Sequence, residues 1–280
     1  MKDTIGHASA EEVAAMLDWA AAEGWNPGLG DAEAFLAADP GGFLVARVDG
    51  EAVASVSVVS YGEDFGFLGF YICRPEFRGK GHGWAVWQAG MARMGDRTVG
   101  LDGVPAQREN YRKSGFALAH RNVRYAGRVM VQAPADPRIR PVDPALAPAV
   151  IAFDRRFFPA PRDAFTSAWI SGGGRRLALA FVDDGDVLGY GVIRPCRVGY
   201  KIGPLFALDE GIAEALFRAL AAEANGAELF IDPPVPNGAA TRLAEQHGMA
   251  PVFETARMYR GPAPHLPLGR TWGITTFELG

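Results

Sequence analysis

The spacing of apolar residues predicts an alternation of helices and strands along the whole chain. A first helix is expected where intervals of three and four residues relate Val13, Met16, Leu17 and Ala20. Ser9 followed by Glu12 has the form of a capping box, which favours a helix that begins there and ends near Gly24. Asp31 is the expected N-cap of a second, short helix.

Strands dominate the next part of the first half. Two apolar runs flank Asp49-Gly50, and this arrangement predicts a hairpin over residues 43–59. The later patterns predict strands at 67–72 and 98–101, helices at 84–94 and 107–114, and a second hairpin over 116–131.

The second half repeats this order after a segment dense in proline and alanine, residues 132–148, which favours an inter-domain connection. The elements expected beyond it are helices at 145–153 and 162–170, a hairpin around 184–185, a strand at 200–206, a helix at 212–224, a strand at 229–231, a helix at 238–247 and a strand at 251–259. Gly115 lies 65 residues after Gly50, and Gly248 lies 63 residues after Gly185. The matching order and spacing predict an α/β chain with an internal duplication and with domains at 1–131 and 132–280.

The composition narrows the class of protein. The 280 residues are 49% hydrophobic and 21% charged with a formal net charge of -4, so we expect a globular protein without a nucleic-acid partner. Cys73 and Cys196 form neither a C-x-x-C pair nor a zinc ligand set, so we expect two buried thiols and no metal. The start of the chain lacks the apolar segment of a signal peptide, and no apolar run reaches the length of a membrane span. These features predict a cytoplasmic protein without a membrane partner.

The strongest local motif is the run Arg-Gly-Lys-Gly-His-Gly-Trp at residues 78–84, between an apolar strand and an apolar-faced helix. Three alternate glycines let the main-chain amides turn inward, and the helix adds free amides and the positive end of its dipole. Arg78 and Lys80 add charge, so we expect the loop to hold a pyrophosphate. The spacing fits neither a Walker A loop nor a dinucleotide fingerprint.

Two motifs resemble those of the GNAT acetyltransferases. Arg78-x-x-Gly81-x-Gly83 is similar to the R/Q-x-x-G-x-G/A pyrophosphate loop of that family, and about thirty residues later the run 110–116 is similar to its Y-E-K-x-G-F ending. The resemblance covers residues 9–128 as a complete GNAT domain.

Three other short segments, at 100–104, 202–207 and 277–280, are similar to those of bacterial tandem GNAT proteins. In those proteins a second acetyltransferase-like domain follows the first. The resemblance implies two GNAT-like domains, each with a mixed, mostly antiparallel twisted sheet flanked by helices. The second domain would be degenerate.

The resemblance also implies transfer of an acetyl group from acetyl-CoA to the amine of a small-molecule or amino-acid-like acceptor, without a metal. The pantetheine would be held by main-chain groups near Tyr71, Ile72 and Cys73. The diphosphate would bind to Gly79, Lys80, Gly81, His82, Gly83 and Trp84, and Arg78 would lie beside it. Tyr111 stands at the position of the acid that protonates the departing thiolate, a step that suits a phenol with an ordinary pKa of about 10.

A general base is also needed, because an amine with a pKa of about 10 is mostly ammonium at neutral pH. Asp102, at the end of a strand expected to meet the reactive end of the cofactor, is the first candidate, although it is equally typical of a turn residue before Gly103. The weaker candidates are Glu63, Asp64, Glu109 and His120. A water relay is another alternative.

Arg121, Asn122 and Arg124 allow two interpretations. They could line the acceptor pocket, which would favour an amine that carries a carboxylate, or they could form a solvated charged face.

The second half lacks the phosphate-binding motif. Asp209 and Glu210 stand where the first half has its glycine loop, and two carboxylates there would repel a diphosphate. We therefore expect the second half to form one wall of the acceptor site, with the aromatic segment 272–277 returning to it. A protein that senses acyl-CoA without turnover is the alternative function, and the sequence does not indicate an oligomeric state.

Overall fold

The element order of the chain occurs twice. A computed structural model describes residues 3–173 and 175–280. The first copy consists of β1 (Asp3–His7), α1 (Ala10–Ala22), α2 (Asp31–Ala38), β2 (Phe43–Val48), β3 (Glu51–Tyr61), β4 (Phe65–Cys73), α3 (His82–Met94), β5 (Thr98–Gly103), α4 (Arg108–Lys113) and β6 (Ala117–Arg128). The second copy consists of β7 (Ile139–Pro141), α5 (Ala147–Asp154), α6 (Asp163–Ile170), β8 (Leu177–Asp183), β9 (Asp186–Pro195), β10 (Tyr200–Ala207), α7 (Glu210–Glu223), β11 (Glu228–Ile231), α8 (Gly238–Gln246) and β12 (Ala250–Arg260), and β13 (Thr271–Gly273) follows it. The repeat confirms the predicted order of the helices and of strands β2–β5 and β8–β12, whereas β1 and β7 were not predicted.

One sheet joins the two copies because they exchange their last strands. Within the described residues the strand order is β1-β2-β3-β4-β5-β12-β6-β11-β10-β9-β8-β7, with β13 attached to β10. β12 of the second copy pairs with β5 of the first, and β6 of the first pairs with β11 of the second. The pairs β4–β5 and β10–β11 are parallel and the others are antiparallel, which confirms a mixed, mostly antiparallel sheet.

The exchange overturns one predicted element. Residues 116–131 were expected to form a hairpin, but they contain the single strand β6. β12 pairs along one edge of β6 and β11 pairs along the other, so distant strands supply the partners that a hairpin would have provided. A pattern of apolar residues shows that a segment is extended, but it does not show which strand lies beside it.

The first helix begins as predicted and the second does not. Glu12 N donates to Ser9 Oγ at 3.2 Å and Ser9 N donates to Glu12 Oε2 at 2.8 Å, which completes the capping box of α1. The N-cap of α2 is Gly30 rather than Asp31. Asp31 instead is the first residue of α2, and its buried carboxylate pairs with Arg194 at 3.2 Å.

Aromatic residues from both halves fill the core between them. Phe35 of α2 stacks on Trp169 of α6 with 6.1 Å between ring centroids, and Tyr61 of β3 packs edge-on against Phe158 of the second half at 4.7 Å. The proline-dense connection also joins this structure, since β7 lies within it and pairs with β8. The halves are thus held together by a shared sheet and a shared core.

Candidate active site

The candidate site lies where β4 and β5 separate. Their parallel pairing ends at Leu68 and Leu101. Phe70 then adopts a left-handed main-chain conformation with φ of +45°, and Ser55 Oγ donates a 2.8 Å hydrogen bond to its carbonyl oxygen. Beyond Leu68, one edge of β4 has no partner among the described strands, so its main-chain groups are available to an extended ligand.

A cavity of about 450 Å³ opens in this gap. The first half supplies residues 68–73 and 101–104 together with Glu23, Trp25, Arg78, Gln107 and Tyr111. The second half supplies Phe253, Thr255, Phe277 and Glu278. The second half thus forms one wall of the cavity, and Phe277 of the aromatic segment belongs to that wall.

The glycine-rich loop lies beside the gap and leads into α3. Gly79 and Gly81 have φ values of +74° and +90°, which glycine adopts without strain. Among the described residues, the amides of Gly79, Lys80 and Gly81 donate to no main-chain carbonyl, and no side chain caps α3. These amides and the start of the helix form a cradle that fits a diphosphate.

Both cations of the loop are exposed and lightly held. Arg78 Nε donates to Cys73 O at 2.9 Å, and its guanidinium also pairs with Glu23. Lys80 Nζ donates to Glu76 O at 2.8 Å. Exposed contacts of this kind contribute about 0–1 kcal/mol each, so either cation can turn toward an anion at low cost.

The predicted cofactor residues fall into two groups. Four line the cavity, namely Tyr71, Ile72, Cys73 and Arg78. The others form the loop and the first turn of α3, namely Gly79, Lys80, Gly81, His82, Gly83 and Trp84. The His82 side chain lies 3.6 Å from Asp3 of β1, so it is the main chain of His82 that belongs to the cradle.

Tyr111 of α4 lies against the cavity with 8% of its surface exposed. Its ring stacks on Trp87 at 5.7 Å, and Gly103 makes room for it, because an added Cβ at Gly103 would lie 2.3 Å from the ring. Burial raises the pKa of Tyr111 above its ordinary value, so the hydroxyl keeps its proton at neutral pH. Its place in the cavity lining and its retained proton meet two requirements of a proton donor, although the raised pKa makes the phenol a weaker acid.

Asp102 is engaged in a buried ion pair. Its Oδ1 accepts hydrogen bonds from Arg257 Nε at 2.9 Å and Asn122 Nδ2 at 2.8 Å, and its Oδ2 accepts from Arg257 Nη2 at 2.6 Å. Burial raises the pKa of Asp102, and the Arg257 guanidinium opposes that rise. Since Arg257 belongs to β12, the pair ties the exchanged strand to β5. The net shift of the Asp102 pKa is upward, but three hydrogen bonds engage its carboxylate oxygens, so its role as the base stays a hypothesis.

The weaker candidates for the base lie outside the cavity lining in the described part of the chain. Glu63 and Asp64 are exposed in the turn between β3 and β4, and Glu109 is exposed in an ion pair within α4. Burial lowers the pKa of His120 to about 3, so this imidazole is neutral and weakly basic at pH 7.

The three polar residues of β6 have separate structural roles. Arg121 lies on the exposed face and pairs with Glu254 at 3.0 Å, whereas Asn122 and Arg124 are buried. Within the described residues none of the three lines the cavity. Of the two interpretations, the charged exposed face fits Arg121 alone, and buried Asn122 and Arg124 fit neither.

Arg124 nevertheless shapes the cavity by holding its aromatic wall, which the sequence patterns did not reveal. Its Nη1 donates to Trp25 O at 2.7 Å, and its guanidinium lies 4.7 Å from the ring centroid of Phe277 and 5.8 Å from that of Phe253. Asp232 holds the same guanidinium through two hydrogen bonds of 2.8 Å. In the sequence, only the aromatic segment 272–277 indicated that such a wall exists.

The corresponding gap of the second half is filled by the chain itself. β10 and β11 pair in parallel over residues 200–202, and β13 then pairs with β10 at Leu205 and Phe206. At the start of α7, Asp209 Oδ1 accepts a 2.9 Å hydrogen bond from Ile212 N. Both features support the expectation that the second half does not hold a diphosphate.

Family comparisons identify both halves. The Acetyltransferase (GNAT) family model matches residues 10–116, and the Acetyltransferase (GNAT) domain model matches residues 150–273. The chain belongs to the GNAT family. A curated relative, holothin acyltransferase of Pseudoalteromonas sp. (strain SANK 73390), is 36% identical over 274 residues, which span 98% of this chain and 93% of the relative. This GNAT protein is therefore an acyltransferase.

Solved structures share the two-half architecture of this GNAT enzyme. An acetyltransferase candidate from Pyrococcus horikoshii has a TM-score of 0.80 at 21% identity and covers 99% of this chain and 96% of its own. A tandem GNAT protein from the clavulanic acid biosynthesis pathway has a TM-score of 0.63 at 16% identity, with 94% and 100% covered. At these identities the likeness shows the fold.

The described residues contain neither a metal-binding cluster nor a membrane-spanning helix. No group of three His, Cys, Asp or Glu side chains is placed to hold a metal ion. None of the helices in the described ranges combines the length and the apolar character needed to span a bilayer. The thiols of Cys73 and Cys196 are unpaired, with Cys196 buried and Cys73 partly exposed.

Proposed function

We propose that this GNAT enzyme transfers an acyl group, with acetyl as the first choice, from acyl-CoA to the amine of a small molecule. The observation that carries the proposal is the juxtaposition of three features at one gap in the sheet. They are the amides of the glycine loop, the unpaired edge of β4, and a cavity walled by both halves.

The residues of the first half divide the work of binding. The bound acyl-CoA supplies the thioester from which the acyl group is taken. Amides of residues 79–84 bind the diphosphate, with Arg78 and Lys80 as counter-charges. Main-chain groups of residues 71–73 hold the pantetheine by strand-like hydrogen bonds, and the main chain beside Phe70 polarises the thioester carbonyl.

The cavity favours a compact acceptor. Its volume of about 450 Å³ falls in the range typical of small-molecule sites. Trp25, Phe253 and Phe277 give it a flat apolar wall, and a protein acceptor would require an open groove instead. Because a relative is a holothin acyltransferase, holothin is the first acceptor to test.

Calorimetry with CoA and free-thiol release from acetyl-CoA across an amine panel that includes holothin test the proposal. We expect CoA to bind and thiol to be released only when a suitable amine is present. A protein that binds CoA but releases no thiol with any amine would be a sensor, and a protein without CoA affinity would overturn the proposal entirely.

Tyr111→Phe is expected to lower kcat by about 100-fold or more, in the range for loss of a general acid, without weakening CoA binding. The phenol donates a proton to the leaving thiolate, and the variant removes the hydroxyl but keeps the ring that packs on Trp87. Steady-state thiol release measures kcat, and calorimetry measures CoA affinity.

Tyr125→Phe is the matched control, because Tyr125 is also buried but lies outside the cavity lining among the described residues. We expect its kcat to stay within about 2-fold of wild type, since no transition-state contact is removed. An unchanged kcat in Tyr111→Phe would exclude the acid role.

A further inference from the structure

Glu278 is a buried acid in the cavity wall that the first-half machinery does not use. Its exposed fraction is 4%, and it lines the cavity together with Tyr111. Its Oε1 is buried and has no hydrogen-bond partner within the described structure. A buried carboxylate oxygen without a donor is costly, and its presence indicates a ligand that brings one.

A second polar atom of the same wall is also unsatisfied. Thr255 of β12 lines the cavity, and its Oγ1 is buried without a hydrogen-bond partner in the described structure. Glu278 and Thr255 come from different segments of the second half. Both observations therefore point independently to a polar group that enters this cavity.

The segment that carries Glu278 is fixed against β4 at Gly69. An added Cβ at Gly69 would lie 2.1 Å from Glu278 O, so the two main chains are in direct contact. Leu279 N donates to Thr276 Oγ1 at 2.9 Å, and Tyr61 Oη donates to Leu279 O at 3.1 Å. Glu278 is thus positioned beside the point where β4 leaves β5.

The burial of Glu278 and the charges around it set the pKa of its carboxyl group. Burial raises its pKa, whereas Lys201 of β10, Arg124 of β6 and Arg194 of β9 lower it, and Asp31 of α2 raises it. The net effect is a raised pKa, so this carboxylate is a better proton acceptor than an exposed glutamate. Its free oxygen also distinguishes it from a carboxylate that is saturated by an ion pair.

We propose that Glu278 binds the ammonium of the acceptor and removes its proton before acyl transfer. This assignment rests on the proposed function. The second half of the chain, which holds no diphosphate, thereby supplies the base, while the first half supplies the cofactor site and the acid.

The proton balance of the step is complete with these two residues. One proton passes from the acceptor ammonium to the Glu278 carboxylate and later to solvent. The nitrogen lone pair then forms the C–N bond to the acyl carbon while the C–S bond breaks and its electron pair stays on sulfur. Tyr111 gives its proton to that sulfur and is reprotonated by the proton that the nitrogen loses.

The test compares Glu278→Gln with wild type on paired acceptors, each alkyl amine beside its aryl analogue, with benzylamine and aniline as the first pair. Benzylamine is protonated at pH 7 and needs the base, whereas aniline is already neutral. We expect kcat/KM of the variant to fall about 100-fold or more for alkyl amines and less than about 5-fold for aryl amines. The alkyl-amine deficit should shrink as the pH rises toward the pKa of the free amine.

Several controls separate this role from a structural one. Glu278→Gln should keep the CoA affinity of wild type, and Glu278→Asp, which retains a carboxylate, should recover part of the lost rate. Glu254→Gln removes an acid on the exposed side of β12 and should leave kcat/KM unchanged for every acceptor.

Three outcomes would overturn the assignment. Equal losses for alkyl and aryl amines would show that Glu278 only shapes the site. Wild-type rates in Glu278→Gln would show that another group is the base. An absence of thiol release by the wild-type enzyme with every amine would overturn the proposed function itself, and the assignment with it.

Discussion

Gly81→Val is expected to weaken CoA binding by about 100-fold or more, because hydrogen bonds to charged groups contribute about 1.5–3 kcal/mol each and at least two would be lost. Gly81 has a φ of +90° and caps α3 in the left-handed region, which a β-branched residue does not tolerate. To relieve that strain the loop must rotate its amides away from the cradle. Calorimetric titration with CoA measures the loss.

Gly95→Val is the matched control for strain. Gly95 ends the same helix with a φ of +55°, and an added Cβ would meet no atom within 4 Å, as at Gly81. Its stability cost should resemble that of Gly81→Val, while CoA affinity should stay within about 2-fold of wild type because no ligand contact is involved. Equal losses of affinity in both variants would show that the loop does not hold the diphosphate.

Asp209→Asn tests the second half in the same titration. Asn remains a good N-cap, so α7 should persist, and the loss of a negative charge should leave CoA affinity unchanged. A variant that gained or lost CoA binding would indicate a second cofactor site and contradict the division of labour between the halves.

The parts of the fold that depend on neighbouring residues were predictable from the sequence. The capping box of α1 involves two residues three positions apart, and the glycine loop needs only its own conformations and the helix that follows. Most of the repeated order was predictable for the same reason, since local periodicity indicates most helices and strands. The edge strands β1 and β7 were not predicted.

The parts that depend on distant pairing were not predictable. Asp102 meets Arg257 across 155 positions because β12 replaces a local strand beside β5. This contact engages in an ion pair the carboxylate that the sequence suggested as a base. Glu278 reaches Gly69 of β4 from the far end of the described chain. The sequence predicted the return of segment 272–277, but without pairing information it did not indicate either of these contacts.

The largest expected effect on stability comes from Arg124→Met, which should lower the free energy of unfolding by about 3–5 kcal/mol. The side chains of Arg124 and Asp232 are each 3% exposed and share two hydrogen bonds, so removal of the arginine leaves a buried carboxylate without its main partner. Urea unfolding at pH 7 measures the change. The same variant should raise the acceptor KM, because Trp25 and Phe277 lose the group that orders them.

Arg121→Met is the matched control on the same strand, and its exposed pair with Glu254 should contribute about 0–1 kcal/mol.

The loss in Arg124→Met should depend on pH through Asp232. Burial raises the pKa of Asp232, but the charges of Arg124 and Lys201 together lower it by a larger amount, so the net shift is downward. A carboxyl group whose pKa is lowered in the folded state stabilises the fold at pH values above its unfolded pKa of about 3.9. This stabilisation is lost as the pH falls toward the folded pKa. The difference between wild type and Arg124→Met should therefore be constant near neutral pH and shrink under strongly acidic conditions. A deficit that does not depend on pH would assign the loss to packing of the arginine stem instead of its charge.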